Sequence, residues 1–414
     1  MKYGLIGSKL EHSYSPELHA AFGDYDYQLC ELSAEELYPF FQKKDFQGIN
    51  VTIPYKIDVL PYLYDVDDTA LAIGAVNTVV NRNGELYGYN TDFFGLTSLI
   101  HRIGVPLAGK SVLVLGSGGT SCTACNVAIA EGAREVHVVG RTARRIVITY
   151  EDAYARYADA EYIINTTPVG MYPNEDACPI DLARFPKLEG LADAIYNPLR
   201  TELVLSARAR GIPAEGGLYM LVAQAAEASR IFTGVPIADA KIDAVFAELE
   251  RKKENIYLVG MPGSGKSTVG KLLAEALDRP FFDTDAELLL QSGEKDISTI
   301  FATKGEAAFR DLESRVVCGL AGTKRGAVIA TGGGAVLRPE NVRAMHRSGR
   351  VYFLDRPLDD IKPTSDRPVA SDREALAARY KERYHLYLSS AHVHVPVMGD
   401  ARSVAEEIRK DFTK

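Results

Sequence analysis

The sequence of 414 residues predicts an α/β protein with parallel sheets, on two observations. Short apolar runs alternate with stretches of helical spacing, which is the strand–loop–helix order of parallel sheets. Most of these runs end in Gly, Thr or Asn, the residue types found where strands open into binding loops. The predicted strands are YGLIG, GINVTI, SVLVLG, EVHVVG, EYIINTT, NIYLVG, AVIATG and RVYFLD.

The composition limits the partners of the chain. It is 46% hydrophobic and 25% charged, with a net charge of −8 and a pI near 5.6. This acidic balance argues against nucleic acid or an anionic membrane as the main partner, although local basic pockets for small anions are still allowed. The start of the sequence does not resemble a signal peptide, and no apolar run reaches the ~20 residues of a membrane span. We therefore expect a cytoplasmic protein; the oligomeric state does not follow from the sequence.

The five cysteines are scattered, which is typical of reduced thiols in a cytosolic protein. Cys122 and Cys125 form a C-x-x-C sequence at the predicted start of a helix. We expect them to be small core residues rather than a redox pair.

Three segments are predicted along the chain. Residues 1–100 form one α/β domain, which helices from about 217–250 complete. Residues 101–216 form a second α/β domain, and residues 255–414 form a third. The polar run at 251–254 is predicted to be the linker.

The sequence VLVLGSGGTS places glycines directly after an apolar strand and before a stretch of helical spacing. This context favours a Rossmann dinucleotide site, because glycines let the backbone approach a pyrophosphate at a helix N-terminus. A tight turn without a cofactor is the alternative, since Ser121 replaces the third glycine of the motif. The next strand ends in VVGRTARR, with arginines where an NAD site has an acid. Guanidinium groups suit a 2′-phosphate, so we expect NADP(H) rather than a solvated basic loop. The residues concerned are Gly116, Gly118, Gly119, Arg141, Arg144 and Arg145.

Polar residues interrupt the apolar strands of the first segment. Strand alternation places Asn50 and Thr52 on one face, and Lys56 follows near an expected helix start. Asn77 and the sequence Asn90–Thr91–Asp92 come later. One such residue is explained by structural hydrogen bonding, but several together indicate a polar substrate.

Residues 1 to about 250 resemble shikimate dehydrogenase. The motifs that carry the resemblance are HSYSP (12–16), NVTIPYK (50–56), GAVNT (74–78), NTD (90–92), GSGGTS (116–121), GRT (140–142), NTTPVGM (165–171), YNP (196–198) and GGLYMLVAQA (216–225). Gly140 departs from the usual Asn of the family. The resemblance implies reduction of 3-dehydroshikimate to shikimate by NADPH, with Lys56 and Asp92 as the catalytic pair. It further implies substrate contacts by Ser13, Ser15, Thr52, Asn77, Asp92 and Gln224, and cofactor contacts that include Thr142 and Gly217.

The sequence GMPGSGKST at 260–268 matches the G-x-x-x-x-G-K-[ST] phosphate loop. It follows a predicted strand and precedes a predicted helix, as a P-loop requires. Backbone N–H groups would cradle the phosphates, Lys266 would neutralise them and the Ser267 hydroxyl would ligate Mg²⁺. The nucleotide-binding residues are Gly263, Gly265, Lys266, Ser267 and Thr268.

Three further patterns concern the phosphate acceptor. Asp283 and Asp285 lie two apart near a strand end, which predicts that both face one side, unless they form a solvated acidic turn. One could hold a metal-bound water and the other an acceptor hydroxyl. Arg310 and Glu313 are spaced i, i+3 on a predicted helix, and a surface pair explains that spacing equally well. The glycines at 332–334 allow close approach to a ligand.

Residues 255–414 resemble shikimate kinase in these patterns, in RYHLY (383–387) and in SDRPVAS (365–371). The resemblance implies a P-loop domain of the nucleoside-monophosphate-kinase type, which phosphorylates shikimate with ATP and Mg²⁺. Asp283 would assist the metal, and Asp285 would bind the acceptor and take its proton. The other residues implied are Arg310, Gly333, Gly334 and Arg383 for the substrate and Arg367 for the transferring phosphate. The segment around Arg367 is shorter than the family leads us to expect.

The resemblances together imply a chain that carries two consecutive reactions. The alternatives are a kinase for another small polyol acid, one half that serves only as a binding or regulatory module, and a dehydrogenase that prefers quinate or NAD.

Overall fold

The computed structural model describes residues 1–10, 13–144, 146–361 and 373–414. Arg145 and Arg367, both predicted as site residues, lie outside the described residues. The chain divides into two compact units. The first comprises 1–197 and 201–248, and the second comprises 198–200 and 249–414.

The first unit contains two six-stranded sheets within the described residues. The first sheet has the order β2-β1-β3-β5-β6-β4, in which β5 runs antiparallel to its two neighbours. Its strands are β1 (Tyr3–Gly7), β2 (Tyr27–Glu31), β3 (Gly48–Val51), β4 (Asp65–Val66), β5 (Thr78–Arg82) and β6 (Glu85–Tyr89).

The second sheet has the order β12-β11-β10-β7-β8-β9, and its strand pairs are parallel. Numbered within the sheet this is the 3-2-1-4-5-6 order of a doubly wound dinucleotide fold, read from the opposite edge. Its strands are β7 (Ser111–Leu115), β8 (Glu135–Gly140), β9 (Val147–Thr149), β10 (Tyr162–Asn165), β11 (Gly190–Asp193) and β12 (Ala214–Glu215).

Helices cover these sheets and supply the walls of the site. The helix pair α4 and α8 packs together, and α8 also packs on α1, so the chain returns to its first domain after the second sheet. The helices are α1 (Ser15–Phe22), α2 (Ala34–Lys43), α3 (Asp68–Ile73), α4 (Thr91–Ile103), α5 (Gly119–Ala130), α6 (Tyr150–Arg156), α7 (Glu202–Ala209), α8 (Leu218–Thr233) and α9 (Asp239–Lys253).

The second unit is built on one parallel sheet of order β14-β15-β13-β16-β17. Its strands are β13 (Asn255–Val259), β14 (Phe281–Asp283), β15 (Val328–Ala330), β16 (Gly349–Asp355) and β17 (Val393–Pro396). Its helices are α10 (Lys266–Leu277), α11 (Thr284–Ser292), α12 (Ile297–Thr323), α13 (Pro339–Ser348), α14 (Arg373–Ser390) and α15 (Ala401–Thr413). Helix α12 is interrupted at Gly305, whose φ of 80° is not helical.

These elements confirm the α/β class and the predicted strands, but two local expectations were wrong. The polar run at 251–254 is not a free linker, because α9 extends to Lys253 and Glu254 is 2% exposed. Glu254 is tied to Arg350 and accepts a hydrogen bond from Arg200 at 2.6 Å. Cys122 is exposed rather than in the core, because α5 turns that position towards solvent.

Within the described residues, no helix is long and apolar enough to cross a membrane.

A buried histidine in the first unit gives the fold a dependence on acid. His19 is 1% exposed, stacks on Tyr27 at 3.9 Å between ring centroids and has its Nδ1 2.6 Å from the Tyr25 hydroxyl. Burial lowers the pKa of His19 to about 3, so the folded chain holds the ring neutral. The unfolded chain protonates the same ring near pH ~6.5. The stability that the neutral His19 ring contributes is therefore fully present above that pH and is lost as the pH falls towards 3.

We predict that His19→Phe flattens the acid limb of the stability curve. Relative to this variant, the wild-type free energy of unfolding should fall by up to ~1.4 kcal/mol per pH unit between about pH 6 and 4. Urea unfolding at pH 7, 5.5 and 4.5, followed for both proteins, measures this difference. Parallel stability curves would show that His19 does not cause the loss.

Candidate functional sites

A cavity of about 550 Å³ opens in the first unit, beside the carboxyl ends of β1 and β3. Its lining combines hydroxyl, amide, ammonium and carboxylate groups with a few apolar side chains. All seven side chains predicted to act on the substrate line it: Ser13, Ser15, Thr52, Lys56, Asn77, Asp92 and Gln224. It is also lined by Thr120 from the glycine-rich turn and by Gly217. A single cavity thus receives groups from both sheets of the unit.

Lys56 and Asp92 form an ion pair in this cavity. The Lys56 Nζ lies 2.6 Å from the Asp92 Oδ2, and their side chains are 28% and 17% exposed. Asp92 is in the first turn of α4. The sequence predicted a helix start near Lys56, but Lys56 lies in a run of turns after β3. The backbone carbonyl of Lys56 accepts a hydrogen bond from the Val76 N–H at 2.8 Å, which anchors the turn.

The amide groups of the cavity are oriented by buried hydrogen bonds. The Oδ1 of Asn77 accepts from the Thr91 N–H at 2.8 Å and from the Thr78 hydroxyl at 3.1 Å. Because its oxygen is committed to these donors, the Asn77 NH₂ group is left to donate to a ligand. In Gln224 the nitrogen end is engaged instead, because its Nε2 donates to the Leu221 carbonyl at 2.8 Å.

Two hydroxyl groups stand together at the start of α1. The Ser13 hydroxyl donates to the Ser15 Oγ at 3.1 Å, and the Ser15 N–H donates to the Ser13 Oγ at 3.2 Å. Both side chains line the cavity. Their position suits a carboxylate, which accepts hydrogen bonds from hydroxyl and backbone N–H donors.

Asn50 has a structural role that sequence reasoning did not separate from a substrate role. It is 6% exposed, accepts from the Tyr27 hydroxyl at 2.7 Å and donates to the Thr78 Oγ1 at 3.0 Å. It lines the cavity, but its amide is already used on both sides. Tyr14 and Tyr196 also line the cavity and meet edge to face at 6.0 Å. Neither was predicted, although HSYSP and YNP contain them.

The glycine-rich turn after β7 has the form that a pyrophosphate needs. Gly116 has a φ of 107°, and a Cβ there would lie 2.7 Å from the Thr166 Oγ1. Side chains at Gly118 or Gly119 would point into open space, next to the first turn of α5. The Ser121 hydroxyl donates to the Gly118 carbonyl at 2.6 Å. The serine that replaces the third glycine therefore stabilises the turn rather than blocking it.

Arg141, Thr142 and Arg144 are exposed directly after β8, the strand beside β7. This is where the adenosine end of a dinucleotide lies in the fold. The Arg144 N–H donates to the Val147 carbonyl at 3.0 Å, which closes the turn that carries these side chains. These groups and the turn after β7 fit NADP(H).

The P-loop of the second unit follows β13 and leads into α10. Gly263 and Gly265 have φ of 82° and 97°. Lys266 is 6% exposed and donates to the Gly260 and Met261 carbonyls, at 2.8 Å each. The lysine ammonium therefore lies inside the loop. Thr268 follows in the first turn of α10.

Ser267 and Asp283 offer a hydroxyl and a carboxylate to a metal ion. The Ser267 hydroxyl donates to the Asp283 Oδ2 at 2.5 Å. Mg²⁺ commonly takes one or two protein oxygens beside phosphate oxygens and water, so these residues fit it. Asp283 ends β14 and its side chain caps α11 by accepting from the Asp285 N–H at 3.0 Å. The two aspartates do not alternate along one strand, because Asp285 already belongs to the helix.

A cluster of charged groups surrounds the glycines at 332–334. Arg310 and Glu313 form a buried pair at 2.7 Å, 9% and 2% exposed, so they are not the surface pair that the spacing also allowed. A Cβ on Gly332 would lie 2.7 Å from the Asp285 Oδ1 and 2.6 Å from the Glu313 Oε1. A Cβ on Gly334 would collide with the Arg310 guanidinium. Both glycines therefore let charged side chains reach the backbone.

Arg383 reaches the same cluster from α14. It is 5% exposed and its Nη1 donates to the Gly333 carbonyl at 3.3 Å, beside the Tyr387 hydroxyl, which donates to the same oxygen at 2.5 Å. Burial raises the pKa of Glu313, and the neighbouring Asp285 raises it further, while Arg310 and Arg383 lower it. The Nε atoms of Arg310 and Arg383 are buried and have no hydrogen-bond partner among the described residues. Two such guanidinium groups beside a carboxylate are suited to a ligand that carries both an anion and hydroxyls.

Comparisons with known proteins match two parts of the chain to family models. Residues 5–79 match the family model described as shikimate dehydrogenase substrate binding domain, and residues 262–413 match the model described as shikimate kinase. A shikimate dehydrogenase (NADP(+)) of Clostridium perfringens strain SM101 is 34% identical in an alignment 272 residues long, which covers 60% of this chain and 98% of the relative.

Solved structures give the same result for the first unit. A chorismate mutase/shikimate 5-dehydrogenase fusion protein from Clostridium acetobutylicum is similar with a TM-score of 0.57 and 36% identity, over 60% of this chain and 97% of that one. Shikimate 5-dehydrogenase from Thermus thermophilus, in complex with NADP(H) and shikimate, is similar with a TM-score of 0.54 and 30% identity, over 60% and 99%. The chain therefore belongs to the shikimate dehydrogenase family and carries a shikimate kinase domain in residues 262–413.

Proposed function

We propose that the chain is a bifunctional enzyme that reduces 3-dehydroshikimate to shikimate with NADPH and then phosphorylates shikimate to shikimate 3-phosphate with ATP. The proposal that the two reactions are paired on one chain rests on one observation. Each unit holds a site with anion-binding groups, polar groups for ring hydroxyls and a glycine-rich loop for a nucleotide. The product that the first site would make is the acceptor that the second would use.

The domain limits proposed for these activities follow the sequence. Residues 1–100, completed by helices from about 217–250, bind 3-dehydroshikimate, and 101–216 bind NADP(H). Residues 255–414 bind shikimate, ATP and Mg²⁺. Five free cysteines fit work in the cytoplasm, and neither reaction requires a nucleic acid or a membrane.

In the first site we assign proton transfer to Lys56. NADPH supplies the hydride when it is bound, and negative charge then develops on the substrate carbonyl oxygen. The Lys56 ammonium stabilises that charge and donates the proton. Asp92, 2.6 Å from the Lys56 Nζ, holds the ammonium in place and accepts a hydrogen bond from a ring hydroxyl. Ser13 and Ser15 hold the ring carboxylate, and Thr52, Asn77 and Gln224 bind its hydroxyls.

In the second site we assign acceptor activation to Asp285. Its carboxylate lies against Gly332 and binds the hydroxyl that receives the phosphoryl group, which ATP supplies when bound. Arg310 and Arg383 clamp the carboxylate of the ring, and Gly333 and Gly334 face the ring itself. Ser267 and Asp283 hold Mg²⁺, and Lys266 neutralises the phosphates. The protein acts mainly by positioning and charge neutralisation. The predicted role of Arg367 in this transfer stays a prediction.

The fused activity can be tested on the intact chain. We expect purified protein given 3-dehydroshikimate, NADPH and ATP with Mg²⁺ to form shikimate 3-phosphate, measured by mass spectrometry. Lys266→Ala should stop the reaction at shikimate, because the P-loop loses its ammonium. If the wild type accumulates shikimate and forms no phosphate ester, the second half serves another function.

Lys56→Ala should lower kcat for NADPH oxidation by ~10²–10⁴-fold, because the proton donor is lost, and leave phosphorylation of added shikimate unchanged. Lys110→Ala is the matched control, since Lys110 also pairs with a carboxylate, that of Glu189 at 2.5 Å, but lies outside the cavity lining. Circular dichroism checks that both variants fold. A Lys56→Ala enzyme that keeps most of its kcat would refute the assignment.

Arg383→Met should raise KM for shikimate by ~10–100-fold and leave KM for ATP within about twofold, because one arm of the carboxylate clamp is removed. Steady-state kinetics with each substrate varied in turn measures both constants. A kinase for a polyol without a carboxylate would show no such selective change, and that result would favour the alternative substrate class.

Reduction rates are measured with NADPH and with NADH at equal concentration, on 3-dehydroshikimate and on 3-dehydroquinate. These rates decide between this proposal and a quinate- or NAD-preferring dehydrogenase. The exposed arginines after β8 predict NADPH.

A further inference from the structure

An arginine that neither resemblance assigned lies against the P-loop. Arg356 directly follows β16, the neighbour of β13 in the parallel sheet, and the P-loop directly follows β13. The carboxyl ends of neighbouring parallel strands open on the same edge. The strand order therefore brings Arg356 to the loop that binds the nucleotide.

The side chain of Arg356 reaches this loop. Its Nη2 lies 3.7 Å from the position that a Cβ on Gly265 would take. Gly265 has a φ of 97° and immediately precedes Lys266, at the part of a P-loop whose N–H groups face the phosphates. The guanidinium thus lies beside Gly265, at the loop that would hold the phosphates.

The acidic neighbour of Arg356 in the chain is engaged elsewhere. The Asp355 carboxylate accepts hydrogen bonds from the Tyr380 hydroxyl at 3.2 Å and the Tyr384 hydroxyl at 3.1 Å. The His394 Nε2 lies 2.9 Å from the same carboxylate. The Nε of Arg356 is buried and has no hydrogen-bond partner in the part of the chain that the structure describes. Arg356 is therefore not held in place by its adjacent carboxylate.

The Lys266 ammonium lies in the interior of the loop. Its ammonium donates to the carbonyls of Gly260 and Met261, at 2.8 Å each. The P-loop is thus flanked by an ammonium on its inner side and a guanidinium beside Gly265. A planar guanidinium matches the oxygens of a phosphate with two parallel hydrogen bonds, and phosphoryl transfer gains from each cation placed on the transferring group.

We propose that Arg356 is a phosphate-binding residue of the nucleotide site, which contacts the β- and γ-phosphates of the triphosphate held in the P-loop. The proposal rests on the proposed kinase function for the identity of the nucleotide. It concerns a residue at the end of a core strand, so it does not depend on the segment at 362–372.

The test compares Arg356→Ala with Arg356→Lys and with the control Arg402→Ala in the full chain. Arg402 is exposed on α15 and loses the same charge in the same unit. KM for ATP and for shikimate is measured by shikimate-dependent ADP release, and the affinities for ATP, ADP and AMP, each with Mg²⁺, are measured by calorimetry without acceptor. Thermal melting checks that the variants fold.

For Arg356→Ala we expect KM for ATP and the dissociation constants of ATP and ADP to rise by ~10–100-fold, with AMP affinity and KM for shikimate within about twofold of the wild type. Arg356→Lys should recover part of this loss, and Arg402→Ala should behave as the wild type. An unchanged affinity for ATP, or equal weakening of ATP, ADP and AMP, would overturn the proposal. Because nucleotide binding is measured without acceptor, a wild type that binds ATP but does not phosphorylate shikimate would refute the proposed function and leave this test readable.

Discussion

The parallel arrangement of the strands is the constraint on which both sites depend. When neighbouring strands run in the same direction, their carboxyl ends open on one edge, and the side chains and loops that follow them converge there. In the first unit this edge brings the turn at Gly116 next to Thr166, which follows β10. In the second it brings the P-loop after β13 next to the glycines after β15. Residues more than a hundred positions apart also meet where helices pack, as Thr91 of α4 and Gln224 of α8 do.

The charged cluster around Glu313 places buried charges in the second site that add little net stability to the fold. A buried ion pair contributes little net stability, because desolvation of the two charges offsets their attraction. Arg310 and Glu313 are paired, yet Arg383 adds a further buried cation and Asp285 a further anion close by. Such a cluster is poorly explained by stability alone. It is understandable as a site that binds an anionic ligand, whose charge would complete the hydrogen bonds of the two guanidinium groups.

Motifs with strict spacing predicted most of the molecule, whereas local geometry at the ends of elements did not follow from the sequence. The strands and both glycine-rich turns were predicted because each needs a particular residue type at a particular place. The seven side chains that line the first cavity were implied by the resemblance to shikimate dehydrogenase. Asp285 was misplaced on a strand, since the residue at which β14 gives way to α11 is set by the cap that Asp283 forms. Lys56 was expected near a helix, but β3 leads into turns. Arg356 had no signal, because a lone arginine after a strand acquires meaning only when sheet order places it beside Gly265.

The central claim is that one chain has two separate sites for the same small carboxylated ring. Calorimetric titration of the full chain with shikimate, in the presence of saturating NADP⁺ and of ADP with Mg²⁺, measures the number of sites directly. We expect two shikimate molecules bound per chain, reduced to one when Arg310 and Arg383 are both replaced by methionine in a variant that still folds. A stoichiometry of one in the wild type, or two in that variant, would contradict it.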